Sequence, residues 1–382
     1  MAPETHALLS ASSAHRWLNC TPSALLEAGK PDRGSAASLE GTAAHALAEW
    51  KLAETLGRGP GPRPASNYDS DDMEAYTDAY VDHVSTLIGE HDTKTSVFIE
   101  QRLDYSQYAP DGYGTGDCVI ISDTMLDIVD LKYGQGVLVE ADDNPQLKLY
   151  ALGALAAFEA IYDVETVRAT IFQPRRDNIV SATYTAAELR EWGNRVVRPA
   201  ADLAVEGLGD FKPGTWCQFC KLAPTCRARA EENLKLARFD FQPADELEDA
   251  EVAEILQQLP ELLKWASDVE KHATQAAIHH GKQWPGMKLV AGRSMRKYAD
   301  ENQVIQAAHE AGYADEDIFE RKLITLTKME RLVGKKKFTE IFGGLVVKPA
   351  GKPALVPESD RRKPLTLTSA ETEFENLEKQ GK

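Results

Sequence analysis

Hydrophobic positions in the first half of this chain switch repeatedly between helical and alternating periods, and each switch marks an element. Helical spacing appears near Ser13 to Leu18. It returns from Gly41-Thr42-Ala43-Ala44-His45 to about Leu56, after a Gly/Ser/Pro-containing stretch from Gly29 to Ser38. Gly57 to Ser66, dense in Gly and Pro, reads as an exposed loop, and a second helix runs from about Ser70 to Ile88. Three runs with alternating, β-branched character follow, Ser96 to Arg102, Tyr113 to Ser122 and Met125 to Tyr133, which fit a meander. From Pro145 to about Tyr162 the period is helical again, with Leu147, Tyr150, Ala151, Ala154 and Phe158 on one stripe, and a strand follows at Thr166 to Phe172. This order predicts an α/β fold, a mixed central sheet flanked by helices. Thr185-Ala186-Ala187-Glu188 reads as a capping box that opens a helix toward Ala204.

The charged, Pro-containing stretch Phe239 to Glu248 is the expected boundary between a first domain, residues 1–238, and a mainly helical C-terminal region, residues 245–345. That region holds a long helix, about Ala250 to His280, a strand-like run near Met287 to Lys297, and a basic helical piece, Lys328 to Phe342. His279-His280 before Gly281 reads as a helix end favoured by the dipole, not as a ligand pair. The Pro/Lys-rich tail, residues 346–382, is expected to be extended or disordered.

Composition narrows the function classes. No apolar stretch reaches the roughly 18 residues of a membrane helix, and the start lacks the charged and apolar regions of a signal peptide, so a cytoplasmic protein without a membrane partner is expected. A net charge of -17 argues against coating nucleic acid by bulk electrostatics. Local basic clusters remain at Arg175-Arg176, Arg227 with Arg229, Arg293 to Lys297 and Lys335-Lys336-Lys337.

The chemistry concentrates around the second and third strands. Gly114-Thr115-Gly116-Asp117 precedes the run Val129-Asp130-Leu131-Lys132-Tyr133, with Gln146 and Tyr150 downstream. Asp130 and Lys132 are two apart on one strand and share a sheet face. If the strands pair, Asp117 and Asp130 can supply oxygen ligands to Mg²⁺ or Mn²⁺ while Lys132 supplies a cation, the needs of phosphodiester hydrolysis. The plain alternative is a surface Asp130–Lys132 ion pair on an edge strand. Glu100 could face the same site from the preceding strand or be a solvated strand residue. His45 could be a buried polar residue of an Ala-rich helix, and Tyr150 a core residue.

A second constellation is Cys217-Gln218-Phe219-Cys220 with Cys226, flanked by Trp216, Pro213 and Pro224. Close thiols in a chain without secretion signals are better explained as metal ligands than as disulfides. Zinc and a cubane iron–sulfur cluster both usually take four ligands. Cys20, at the end of a short helix, is the candidate fourth, with His15 as its substitute for zinc; Cys118 lies in an apolar strand and reads as core.

The acid, acid, lysine arrangement resembles the PD-(D/E)XK nuclease superfamily, and within it the RecB-like branch, over roughly Ser12 to Arg229. The resemblance implies a restriction-endonuclease-like core in which His45, Asp117, Asp130 and the Leu131 carbonyl hold the metal. Lys132 then orients water or stabilises charge, and Gln146 and Tyr150 support the substrate. It further implies that Cys20, Cys217, Cys220 and Cys226 clasp a [4Fe-4S] cluster, with zinc as the alternative. With its Gly351 to Asp360 run, the layout is similar to a phage- and prophage-associated family of RecB-like proteins with no settled function. The function so implied is a divalent-metal-dependent deoxyribonuclease, an exonuclease by family analogy, in phage recombination, replication or DNA processing in the bacterial cytoplasm. Its partners would be DNA and a phage recombination or replication protein. The competing readings are a non-catalytic DNA-binding or scaffolding protein on a nuclease-like fold, and a zinc-stapled interaction adaptor.

Overall fold

In the computed structural model, described over residues 7–30, 34, 36–91, 94–235, 248–290, 300–319, 323, 329 and 332–346, the alternating runs pair as their pattern requires. β1 (Ser96–Asp104), β2 (Tyr113–Ile121) and β3 (Met125–Leu131) form an antiparallel meander. β4 (Thr166–Gln173) lies parallel to β3, and β5 (Asn178–Thr185) returns antiparallel along β4, completing a mixed sheet of order β1-β2-β3-β4-β5. A parallel step needs a crossover, which a helix between β3 and β4 supplies.

The helices before and within the sheet are α1 (Ala14–Trp17), α2 (Pro22–Ala28), α3 (Ala36–Thr55), α4 (Asp71–Gly89) and the crossover α5 (Pro145–Phe158). Period-2 alternation sorts the sheet's side chains between two layers. Val119, Ile121, Leu126 and Ile128 pack with Leu147, Ala151 and Leu155 of α5, while Cys118, Ile120, Val129 and Leu131 pack with Leu52 of α3 and Tyr80 and Val84 of α4. Cys118 is a fully buried core residue, as expected. After β5 the capping box forms, Thr185 accepting from Glu188 N–H, and opens α6 (Ala186–Trp192), which continues through a π-helical turn into α7 (Arg198–Glu206).

Two elements differ from the sequence reading. Pro22–Ala28, to which the sequence pattern assigns no element, is helical, with Pro at the first turn where its missing N–H is harmless. β5 was not anticipated either. Its inner face offers only the half-buried Val180, Ala182 and Tyr184, alternating with exposed positions, and its hairpin turns on a short Pro174–Arg176 helix with Asp177 at φ 53° rather than on an Asn-Gly pair.

Compactness divides the chain into residues 1–282 and 283–382. The expected boundary, 239–248, lies almost entirely outside the described residues. The long helix beyond it belongs to the first unit, because α8 (Arg227–Leu234) buries Arg229 against α9 (Asp249–His280). α9 ends as expected at His279-His280, with Gly281 at φ 60° closing it. The second unit contains α10 (Glu301–Glu310), α11 (Asp315–Ile318) and α12 (Lys335–Phe342). Of the strand-like run Met287 to Lys297, residues 287–290 form no strand among the described residues, and residues 291–299, with the rest of that run, and the tail from 347 lie outside the described residues. Among the described residues no helix is long and apolar enough to cross a membrane.

Candidate functional site

The sheet's pairing brings the acid, acid, lysine set together. Asp117 Oδ2 accepts the Leu131 N–H at 2.6 Å, so the acid of β2 is clamped to the end of β3. Its other oxygen lies 3.1 Å from His45 Nδ1, offered by α3. β3 is a central strand and Asp130 is only 3% exposed, which rules out the surface ion pair of an edge strand. Lys132 Nζ lies 2.8 Å from Asp130 Oδ2 and donates to Gln146 Oε1 at 3.1 Å. Gln146 Nε2 in turn faces Asp130 Oδ1 at 3.3 Å and the Tyr150 hydroxyl at 3.0 Å. Gln146 and Tyr150 share a face of α5 one turn apart, and the Asn144 cap, accepting from the Gln146 and Leu147 N–H groups, fixes that first turn. Gly114 has a local reason: a Cβ there would stand 2.6 Å from the Tyr150 ring. Tyr150 is thus both a core residue and a hydrogen-bonded member of the site.

Glu100 joins from β1. The β1–β2 ladder pairs Ile99 with Cys118 and Gln101 with Gly116, and between them Glu100 turns to φ 48°, a left-handed conformation that costs a non-glycine residue about 1–2 kcal/mol. Ligand atoms of His45, Glu100 and Asp117 lie within 4.8 Å of one another. The same residues, with Leu131 and Tyr80, line a cavity of about 10 Å³, the room one water-sized occupant needs.

Electrostatics shows what the arrangement lacks. Burial pushes the Asp130 carboxyl up against the pull of Lys132, with Asp117 adding to the rise. Burial also lifts Glu100, reinforced by Asp117, to about 7. Burial disfavours the His45 cation, but Asp117 and Asp130 outweigh it and raise its pKa to about 9. Lys132 shows the same opposition, burial lowering it and Asp130 raising it, with a net rise. Three carboxylates, an imidazole and one ammonium therefore share a partly dry space. Asp130 Oδ2 has no well-aligned hydrogen-bond donor and meets Lys132 only as a charge. This oxygen-rich donor set with one imidazole fits a hard divalent cation.

The cysteines also meet. Cys20, Cys217, Cys220 and Cys226 line one small cavity, with Trp216, Pro213 and Leu222 around them. Burial pushes the Cys217 thiol up, and Cys220 is pushed up to about 12 by burial and by the Glu27 carboxylate. Crowded thiols raised in this way become thiolates when a cation pays their desolvation, so the donor set suits a metal. His15 does not line this cavity; it stands edge-on to Trp216 at 5.8 Å, which corrects its candidacy in place of Cys20. Glu27, which the sequence reading missed, ties the two Cys segments by pairing with Arg16 and accepting the Lys221 N–H. No sequence pattern marks it, since the contact spans almost the whole domain.

Among the basic clusters, Arg229 is buried, donating to Asp268 at 2.8 Å, so it is no surface for phosphate. Arg175 pairs with Glu40 at 2.9 Å and Arg176 donates to the Gln135 carbonyl. Arg293 to Lys297 lie outside the described residues.

Fold and site together define an α/β protein whose mixed five-stranded sheet carries a half-buried carboxylate, histidine and lysine cluster and, apart from it, a four-cysteine cavity. The chain belongs to the DUF2800 family, described as a protein of unknown function, whose model matches residues 6–363. A solved structure described as "Crystal structure of SSO0001" is similar at 12% identity over 56% of this chain and 96% of its own, with a TM-score of 0.22.

Proposed function

We propose that this protein is a divalent-metal-dependent DNA nuclease of PD-(D/E)XK type with a structural iron–sulfur cluster. The observation that carries the reading is the convergence of His45, Glu100, Asp117, Asp130, Lys132 and Gln146 from separate elements on one partly dry site. His45, Asp117 and Asp130, with the Leu131 carbonyl, would hold Mg²⁺ or Mn²⁺, and Glu100, whose carboxylate lies within 4.8 Å of His45 and Asp117, would add a further ligand. Such an ion supplies Lewis-acid polarisation of the phosphate and a bound water of lowered pKa. Lys132 offers its ammonium to the developing phosphate charge or to the attacking water, and Gln146 keeps that ammonium beside Asp130. Exonuclease action in phage recombination, replication or processing, in the cytoplasm of a bacterial host and with a phage recombination or replication protein as partner, extends the reading by analogy.

For the cysteines, a [4Fe-4S] cluster is favoured over zinc. What favours the cluster is the RecB-like resemblance, with one cysteine before the core and three after it; zinc and the cluster both take four ligands, and all four thiols line one cavity. Iron, sulfide and absorbance near 400 nm in anaerobically purified protein test this, and stoichiometric zinc instead would overturn it.

The nuclease test is cleavage of end-labelled single- and double-stranded DNA with Mg²⁺ or Mn²⁺. Wild type should cleave, while Lys132→Ala and Asp117→Ala should lose cleavage and keep the fold and cluster. No cleavage by cluster-loaded wild type would favour the second reading, a non-catalytic DNA-binding or scaffolding role on the same fold.

A further inference from the structure

A cavity of about 610 Å³ opens beside the candidate centre, and its lining runs from Lys132 and Gln146 to the loop 137–144 before α5 and to the cysteine loop at 215–219. It is therefore continuous with the residues proposed for catalysis.

Its cysteine-loop wall is aromatic. Phe219 is 70% exposed, and Trp216 stands beside it in sequence with His15 edge-on at 5.8 Å. These positions are held by the main chain, because Arg16 donates to the Phe219 carbonyl at 3.3 Å and Trp216 Nε1 to the Lys212 carbonyl at 2.7 Å. On the loop before α5, Leu138 is 47% exposed and lines the same cavity. An exposed, positioned phenylalanine next to a tryptophan is the arrangement that stacks nucleobases, because every base offers a π-face. Charge sets the orientation. Glu140, Asp142 and Asp143 line the loop side and repel phosphate; of the two lining cations, Arg16 is held by Glu27, and Lys132 offers an ammonium at the end nearest the candidate metal ligands.

We propose that this groove takes the unpaired end of a DNA strand, with a base against Phe219 and Trp216 and the adjoining phosphate toward Lys132. The inference rests on the nuclease reading of the same site and adds its substrate class. The volume falls in the range of small-ligand clefts, about 300–1,000 Å³, so it admits about one or two nucleotides and not a duplex. The protein then selects ends that are already single-stranded or frayed.

The test is fluorescence anisotropy of labelled single-stranded and blunt duplex oligonucleotides in EDTA, using the full chain with its metal content verified. Wild type should bind the single strand more tightly than the duplex. Phe219→Ala should weaken single-strand binding about 5- to 100-fold, the range of one lost base–aromatic stack, and Phe219→Tyr should restore it. Leu138→Glu, outside the cysteine loop, should weaken it as well, which keeps the test valid if Phe219→Ala disturbs the cluster. Cleavage by wild type and by Lys132→Ala is measured in parallel. Lys132-dependent cleavage with unchanged binding by Phe219→Ala and Leu138→Glu, or with a preference for duplex, overturns the groove and leaves the nuclease reading standing. Phe219-dependent single-strand binding without any cleavage keeps the groove and overturns the nuclease. A wild type that neither binds nor cleaves DNA overturns both.

Discussion

Replacing Glu100 with Gln should stabilise the metal-free protein, and increasingly so as pH rises. Glu100 sits in a left-handed backbone conformation beside Asp117, and its folded pKa stands at about 7 against an ordinary 4.5. Because the folded pKa is raised, the native state holds a proton that the unfolded chain has released. Stability is therefore lost as pH climbs from 4.5 to about 7 and stays lost above it. At about 1.4 kcal/mol per pH unit the full loss is about 3 kcal/mol, of which roughly 1 is already spent at about pH 5.5. Partial exposure of the side chain reduces the remaining difference to about 1–2 kcal/mol. Urea unfolding in EDTA at about pH 5.5 and 8.5 reads it directly: Glu100→Gln should gain over wild type by that much more at the higher pH. An equal effect at both pH values, or a variant weaker than wild type at pH 8.5, would show that the carboxylate is ionised and well paired, refuting the argument. Adding Mn²⁺ at pH 8.5 should reverse the order, because a cation that binds only the native state stabilises it by mass action and the variant offers one ligand fewer.

Mn²⁺ affinity should strengthen between about pH 6 and 8, because the cation must displace protons from Glu100, near 7, and His45, near 9; calorimetry in two buffers of different ionisation enthalpy should detect the released protons, and pH-independent binding would place the metal elsewhere. Gly114→Ala should cost about 1–3 kcal/mol in urea unfolding and weaken metal binding, since its methyl would meet the Tyr150 ring at 2.6 Å; a neutral variant would show that Tyr150 has room to move. Asp268→Ala should lower stability by about 3–5 kcal/mol by leaving the buried Arg229 guanidinium without its 2.8 Å partner, whereas Arg229→Met should be tolerated better; equal losses from both would show that charge burial is not the cause.

Strong periodicity made much of the fold legible. The stripe through Leu147, Tyr150, Ala151, Ala154 and Phe158 is buried as read, and the Thr185 to Glu188 capping box forms. β5 escaped because its half-buried face is a short stripe, Val180, Ala182 and Tyr184, and its turn lacks a short-range signature, and α2 because seven residues are too few to show a period. Asp117, Asp130 and Lys132 could be named from residue type and spacing because β2 and β3 adjoin in sequence and pair locally, whereas Gln146 and Tyr150 are named through the family resemblance and are placed at the site by α5. Local pattern therefore determined the elements and the chemistry each carries. Tertiary structure alone decided that Glu100 turns left-handed opposite Asp117, that Cys20 rather than His15 shares the cysteine cavity, that Arg229 is buried beneath α9, and that Phe219 flanks a groove reaching Lys132. Each of these depends on segments tens to hundreds of residues apart, where a contact is set by packing and by the cost of burying charge, and no short-range period records it.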